Sequence, residues 1–96
     1  MKPSEALALH REAIRAIVLK HNATNPRVFG SVIREEDTES SDLDILIEPT
    51  EKTSLMDVAR IQVELERLLG IKIDVLTPMG LPAKFRQRVV SEAQSI

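Results

Sequence analysis

Asp42 and Asp44 flank a single leucine in the run Asp-Leu-Asp-Ile-Leu-Ile-Glu, and Asp74 sits inside a second apolar run, Ile-Lys-Ile-Asp-Val-Leu-Thr. Both runs read as strands, where successive side chains point to opposite faces. Asp42, Asp44 and Leu46 therefore share one face, and Leu43, Ile45 and Ile47 take the other as the core side. In the second run Ile71, Ile73 and Val75 oppose Lys72, Asp74 and Leu76. With the two strands side by side, three carboxylates stand on one surface, and they repel one another unless a cation lies among them. Hard oxygen donors of this kind suit Mg²⁺ or Mn²⁺. Two such ions clamp the attacking and leaving oxygens in phosphoryl or nucleotidyl transfer.

A second group of residues suits the anion of such a reaction. Gly30 and Ser31 follow the apolar stretch Arg-Val-Phe. A glycine at a strand end lets a phosphate come close to the backbone, and the amides of a following helical turn point at it. The Ser31 hydroxyl adds a donor. Arg34 stands where it can reach the same anion or pair with Glu35, Glu36 or Asp37. Taken singly, each feature is ordinary: a strand-to-helix turn, a solvated strand edge, a solvated strand residue. Their joint occurrence is what points to chemistry. His10 and His21 have no matching ligand cluster and read as surface or packing residues, and Lys84, Arg86 and Arg88 read as the solvated face of a helix, the alternative being contact with an acidic partner or the nucleotide.

The elements that must position these groups follow from local signals. Ser4 is expected to cap a helix reaching about His21, with Leu7, Ile14, Ile17 and Val18 as its apolar stripe. Asn25 and Pro26 read as the end of a loop, and Arg27 to Gly30 as a short buried strand. Ser31 to about Glu36 reads as one or two helical turns. The strand carrying Asp42 and Asp44 stops at Pro49. Ser54 and Asp57 form a capping box for a helix with Leu55, Val58, Ile61, Leu65 and Leu68 at helical spacing, and Gly70 ends it. The strand of Asp74 comes next. Leu81 and Pro82 open a last helix whose Phe85, Val89 and Ala93 share a face. Helices alternating with three strands predict an α/β or α+β domain spanning 1–96, with a small mixed sheet of about three strands.

Composition narrows the function classes. With 96 residues and only two phenylalanines as aromatic bulk, the chain is near the lower size limit for an independent core. It has no cysteine, hence no disulfide and no thiolate metal site. No signal peptide is evident, and no apolar run approaches the roughly 18 residues of a membrane helix. A cytoplasmic protein without membrane contact is expected. A net charge of −2 argues against holding long nucleic acid, which needs a basic face.

Gly30-Ser31, ten intervening residues, Asp42-Leu43-Asp44 and then Asp74 in an apolar strand resemble the signature of the nucleotidyltransferase superfamily that includes DNA polymerase beta and the aminoglycoside nucleotidyltransferases. The stretches Phe-Gly-Ser-Val-Ile-Arg and Ser-Ser-Asp-Leu-Asp-Ile-Leu-Ile-Glu look most like its smallest branch, the minimal nucleotidyltransferase (MNT) antitoxins of HEPN toxins. The resemblance implies a nucleotidyltransferase fold and a type VII-like toxin–antitoxin pair. It implies ATP as substrate, with Gly30, Ser31 and Arg34 at the nucleotide. It also implies two Mg²⁺ ions, with Mn²⁺ as a substitute, on Asp42, Asp44 and Asp74 as both metal-binding and catalytic residues. The acceptor it implies is a tyrosine hydroxyl of the HEPN ribonuclease, and this chain contains no tyrosine. The alternative is a non-catalytic module that neutralises the toxin by forming a complex. Glu35 departs from the branch, which commonly has glycine after the arginine.

Overall fold

A computed structural model describes all 96 residues. The chain runs α1 (Pro3–Lys20), β1 (Ala23–Phe29), a 3₁₀ turn (Gly30–Val32), β2 (Leu43–Pro49), α2 (Leu55–Leu69), β3 (Ile73–Leu76), a second 3₁₀ turn (Pro78–Gly80), α3 (Ala83–Glu92) and β4 (Gln94–Ser95). This is the expected mixed fold with one strand more than expected: the sheet has four strands in the order β3-β2-β1-β4. β2 lies at its centre, antiparallel to β1 and parallel to β3, and β4 pairs antiparallel with β1 through Arg27–Ser95 and Val28–Gln94.

The alternation read from β2 decides which face is sealed. Leu43, Ile45 and Ile47 have no exposed surface, and with Ile73 and Val75 of β3 they meet Ala6, Leu7, Ile14 and Val18 of α1 and Ile61, Leu65 and Leu69 of α2. Both long helices thus cover one face of the sheet. On the other face Leu46, expected beside the carboxylates, is also fully buried, and so is most of Leu81. The segment after β3 folds back over that end of the sheet. The end carrying the aspartates stays open, with Asp42, Asp44 and Asp74 all partly exposed.

Local signals account for α2 in full. Ser54 Oγ accepts from the Asp57 N–H at 3.1 Å while Asp57 Oδ2 accepts from the Ser54 N–H at 2.9 Å, and Gly70 closes the helix at φ 70°. α1 departs from expectation. Lys2, not Ser4, occupies the cap position, and Pro3 is the first helical residue, where its missing N–H costs nothing. The Ser4 N–H instead donates to Asp37 Oδ2 at 2.9 Å, so a carboxylate from the loop before β2 satisfies this helix end. Asn25 and Pro26 are also not loop but strand, at a register shift in the β1–β2 ladder, where an absent N–H is tolerated. α3 buries none of its residues. Phe85 stays 44% exposed, and Ala93 is the residue that ends the helix. Arg86, expected on a solvated face, ties α3 down by donating to the carbonyls of Pro78 (2.8 Å) and Leu81 (3.0 Å).

Candidate active site

The site lies where the C-terminal end of β1 meets the N-terminal ends of β2 and β3. Parallel pairing places Asp44 opposite Asp74, and antiparallel pairing places Phe29, the residue before Gly30, opposite Asp44. Asp42 comes one pleat earlier, level with Lys72, whose carbonyl accepts from the Leu43 N–H at 3.0 Å. Sheet register alone therefore brings the three aspartates and the glycine turn to one edge.

Within this group the carboxylates are not equivalent. Asp44 and Asp74 face each other across the parallel pair, within hydrogen-bonding reach. Partial burial pushes the Asp44 carboxyl up to about 6, and the charges of Asp74 and Asp42 and the hydrogen bond with Asp74 add to that shift, against a smaller opposing pull from Arg34. Asp42 is turned outward, with its Oδ2 3.6 Å from Lys72 Nζ. Nowhere in the chain do three His, Cys, Asp or Glu side chains already surround a point suited to a metal ion. The arrangement is a facing pair plus one carboxylate held by a lysine.

Gly30 has two reasons to be glycine. Its φ of 80° is left-handed, and a Cβ built on it would lie 2.3 Å from Asp44 Oδ2. The side of Gly30 that a Cβ would occupy is filled by the Asp44 side chain. The turn after Gly30 is tighter than the helix expected there: the N–H groups of Ile33 and Arg34 return to the Gly30 carbonyl at 3.1 and 3.4 Å, and that of Glu36 to Ser31. Ser31 is half-buried beside it. Of the partners open to Arg34, Glu36 is the one it takes, with Nε to Oε2 at 3.1 Å, while its charge still reaches Asp44. Glu35 sits at φ 57°, a left-handed conformation that glycine would adopt without strain.

His10 and His21 lie away from this edge. His21 is part of an ion-paired contact between α1 and α2, with Nε2 3.0 Å from Glu64 Oε1. Sequence reasoning missed Lys72 as a neighbour of Asp42 and Asp37 as the anchor of the loop leading into the site. The first was readable: Lys72 alternates in phase with Asp74, and the register that sets Asp74 against Asp44 sets Lys72 against Asp42. The second carried no local signal, since Ser4 and Asp37 are far apart in the chain.

Residues 12–96 match the family described as Polymerase beta, Nucleotidyltransferase. A "putative protein adenylyltransferase" of Methanocaldococcus jannaschii is 40% identical over 86 residues, 90% of this chain and 92% of that one. Protein adenylyltransferase MntA of Thermococcus cleftensis is 37% identical over 65 residues, 68% of this chain and 66% of its own length. Among solved structures, a "putative minimal nucleotidyltransferase" superposes with a TM-score of 0.82 at 40% identity, covering 97% of this chain and 93% of the other. A toxin–antitoxin crystal structure with AMP-PNP superposes at 0.73 with 16% identity, over 88% of this chain and 69% of that one, and that likeness is one of fold. The chain belongs to the polymerase beta nucleotidyltransferase family, within it to the minimal nucleotidyltransferases, and is a nucleotidyltransferase.

Proposed function

We propose that this chain is an antitoxin that moves AMP from ATP onto a tyrosine hydroxyl of a HEPN ribonuclease toxin and so neutralises it. The observation that carries this reading is the register that sets Asp44 against Asp74 beneath the Gly30 turn. The names of the two archaeal relatives support protein adenylylation, and the toxin–antitoxin neighbour with AMP-PNP supports a toxin partner and an adenine nucleotide. The HEPN class of the toxin and the tyrosine acceptor rest on the motif resemblance.

The donor set suits a hard divalent cation: three carboxylates, no softer ligand, and a mutual repulsion that a cation would relieve. Asp42, Asp44 and Asp74 would hold Mg²⁺, which supplies positive charge to the transferring phosphoryl group. The backbone at Gly30 and Ser31 receives the triphosphate, and Arg34 exchanges Glu36 for a phosphate oxygen. Asp74 takes the proton of the attacking hydroxyl. That oxygen bonds to the α-phosphorus as the bond to pyrophosphate breaks.

One observation favours the second reading, neutralisation by covering alone: Arg34 and Asp42 are both engaged by neighbours in their own chain, Glu36 and Lys72. The test is incubation with each nucleoside triphosphate, Mg²⁺ and the protein encoded by the neighbouring gene, followed by intact-mass measurement of both chains. AMP mass on the partner, lost in Asp42→Asn/Asp44→Asn, is expected. An unmodified partner that is nonetheless silenced, equally by the double variant, decides for covering.

A further inference from the structure

Of the three aspartates at the open edge, only Asp42 has an ion pair, with Lys72 Nζ 3.6 Å from its Oδ2. The sheet places this pair. The carbonyl of Lys72 accepts from the Leu43 N–H at 3.0 Å, just before the two strands enter parallel register at Leu43–Ile73. Lys72 is therefore fixed at its backbone on the carboxylate edge, while its side chain is 69% exposed and that of Asp42 37%. An ion pair this open contributes little to folding, because water and salt screen it and the ordering of a long side chain opposes it. What it does change is the field at a carboxylate suited to a cation. Arg34, the other cation near this edge, has its Nε on Glu36 Oε2 at 3.1 Å, which leaves Lys72 as the positive charge in contact with the cluster.

We propose that Lys72 determines the form in which the cation is accepted: it disfavours a bare divalent ion and favours one already complexed to a triphosphate. The inference rests on the reading of Asp42, Asp44 and Asp74 as a cation site for nucleotide transfer. Sign decides the outcome. An ammonium beside a carboxylate competes with a bare cation for that carboxylate and repels it at longer range. A divalent ion on a nucleoside triphosphate belongs to a complex of net negative charge, and the same ammonium attracts that complex. Three crowded carboxylates without Lys72 would do the reverse on both counts, holding free cations and repelling the anionic nucleotide. Lysine suits this task because its ammonium is a compact charge on a flexible stem, able to leave Asp42 without disturbing the strand below it.

Binding to the purified chain tests this without toxin or turnover. Affinity for Mn²⁺ alone is followed by electron paramagnetic resonance, and affinity for Mg²⁺ with a non-hydrolysable α,β-methylene analogue of ATP by calorimetry. Lys72→Met, which keeps most of the length and loses the charge, should bind bare Mn²⁺ roughly five- to tenfold more tightly, the size expected for one unit charge about 5 Å from a divalent ion in screened water. It should bind the magnesium–nucleotide complex severalfold more weakly. Lys72→Arg, which keeps the charge, should match wild type in both. The two differences should shrink as salt is raised from about 0.01 to about 1 M, over which the screening length falls from about 30 to about 3 Å. Thermal midpoints should stay unchanged, whereas a purely structural role for the ion pair would lower the midpoint of Lys72→Met and leave both affinities alone. Equal affinities in wild type and Lys72→Met, or two shifts in the same direction, overturn the inference and leave the cation site standing. Absence of Mn²⁺ binding in both proteins, with and without nucleotide, overturns the cation site itself and the inference with it.

Discussion

Between Asp42 and Ile47 the chain crosses the sheet at every residue and meets two different environments. Leu43, Ile45 and Ile47 have no exposed surface and close against both long helices, whereas Asp42 and Asp44, each one residue away, are half-buried at an open edge. The sealed face gains from every apolar contact made there. At the open edge like charges are crowded together, and burial pushes Asp44 up to about 6. Leu46 apart, which is buried on the aspartate face, stability and chemistry are thus divided by the pleat. The division implies that substitutions on one face should act on folding and those on the other on transfer.

The largest effect should come from Ile45→Ala. Ile45 is completely enclosed in the centre of the central strand. Removing three carbons there costs about 2–5 kcal/mol, a large part of what a chain of this size has. Chemical denaturation should show the midpoint falling accordingly, while nucleotide transfer per folded molecule stays near wild type. A variant that loses transfer without losing stability would break the division.

Gly30→Ala should act in the opposite sense. Its new methyl would lie 2.3 Å from Asp44 Oδ2 and must displace that carboxylate. Transfer should fall on the order of 10²-fold, the scale seen when one preorganised charged or polar group is lost from a reaction centre. The strain of an alanine at φ 80° adds only about 1–2 kcal/mol in stability. Transfer assays alongside thermal melts would separate the two, and equal losses in both would show that the turn serves folding alone.

The same division explains what could be read from sequence. The alternation on β2 and β3 and the capping box of α2 are encoded by neighbours a few residues apart, and they appear as expected. β4 has two residues, Gln94 and Ser95, and no pattern of its own; Ile96 beside it is enclosed in the core and its N–H donates to the Pro26 carbonyl at 3.0 Å. Tertiary contact creates that strand. Likewise Leu46 is buried by a segment returning from beyond β3, and the end of α1 is satisfied by Asp37. Each depends on residues distant in sequence, so no local periodicity announces it. Within the site, the alternation placed the three aspartates correctly on one face, but not that Asp42 would turn to Lys72.

The smallest effect is also the one that tests the charge side of the comparison most directly. In the unfolded chain the Asp44 carboxyl releases its proton near 3.8, and in the folded chain near 6. Between those values the folded state binds more protons than the unfolded one, so stability falls as pH rises through this window and levels off above it. Asp37, Asp57 and Glu64 are shifted the other way by their hydrogen bonds. Asp37 and Asp57 therefore act mainly below the window, and Glu64 chiefly at its lower end. Asp44→Asn removes the penalty, so the variant should melt a few degrees above wild type at neutral pH, with the difference shrinking toward pH 4. Mg²⁺ should close the same gap from the other side, raising the wild-type midpoint above pH 6 and leaving Asp44→Asn nearly unmoved, because a bound cation offsets the burial and the repulsion that together raise Asp44. Melts followed by circular dichroism across this range, with and without Mg²⁺, measure both. Parallel pH curves for the two proteins, or equal stabilisation of both by Mg²⁺, would mean that the carboxylates at the open edge do not interact strongly enough to form a common cation site.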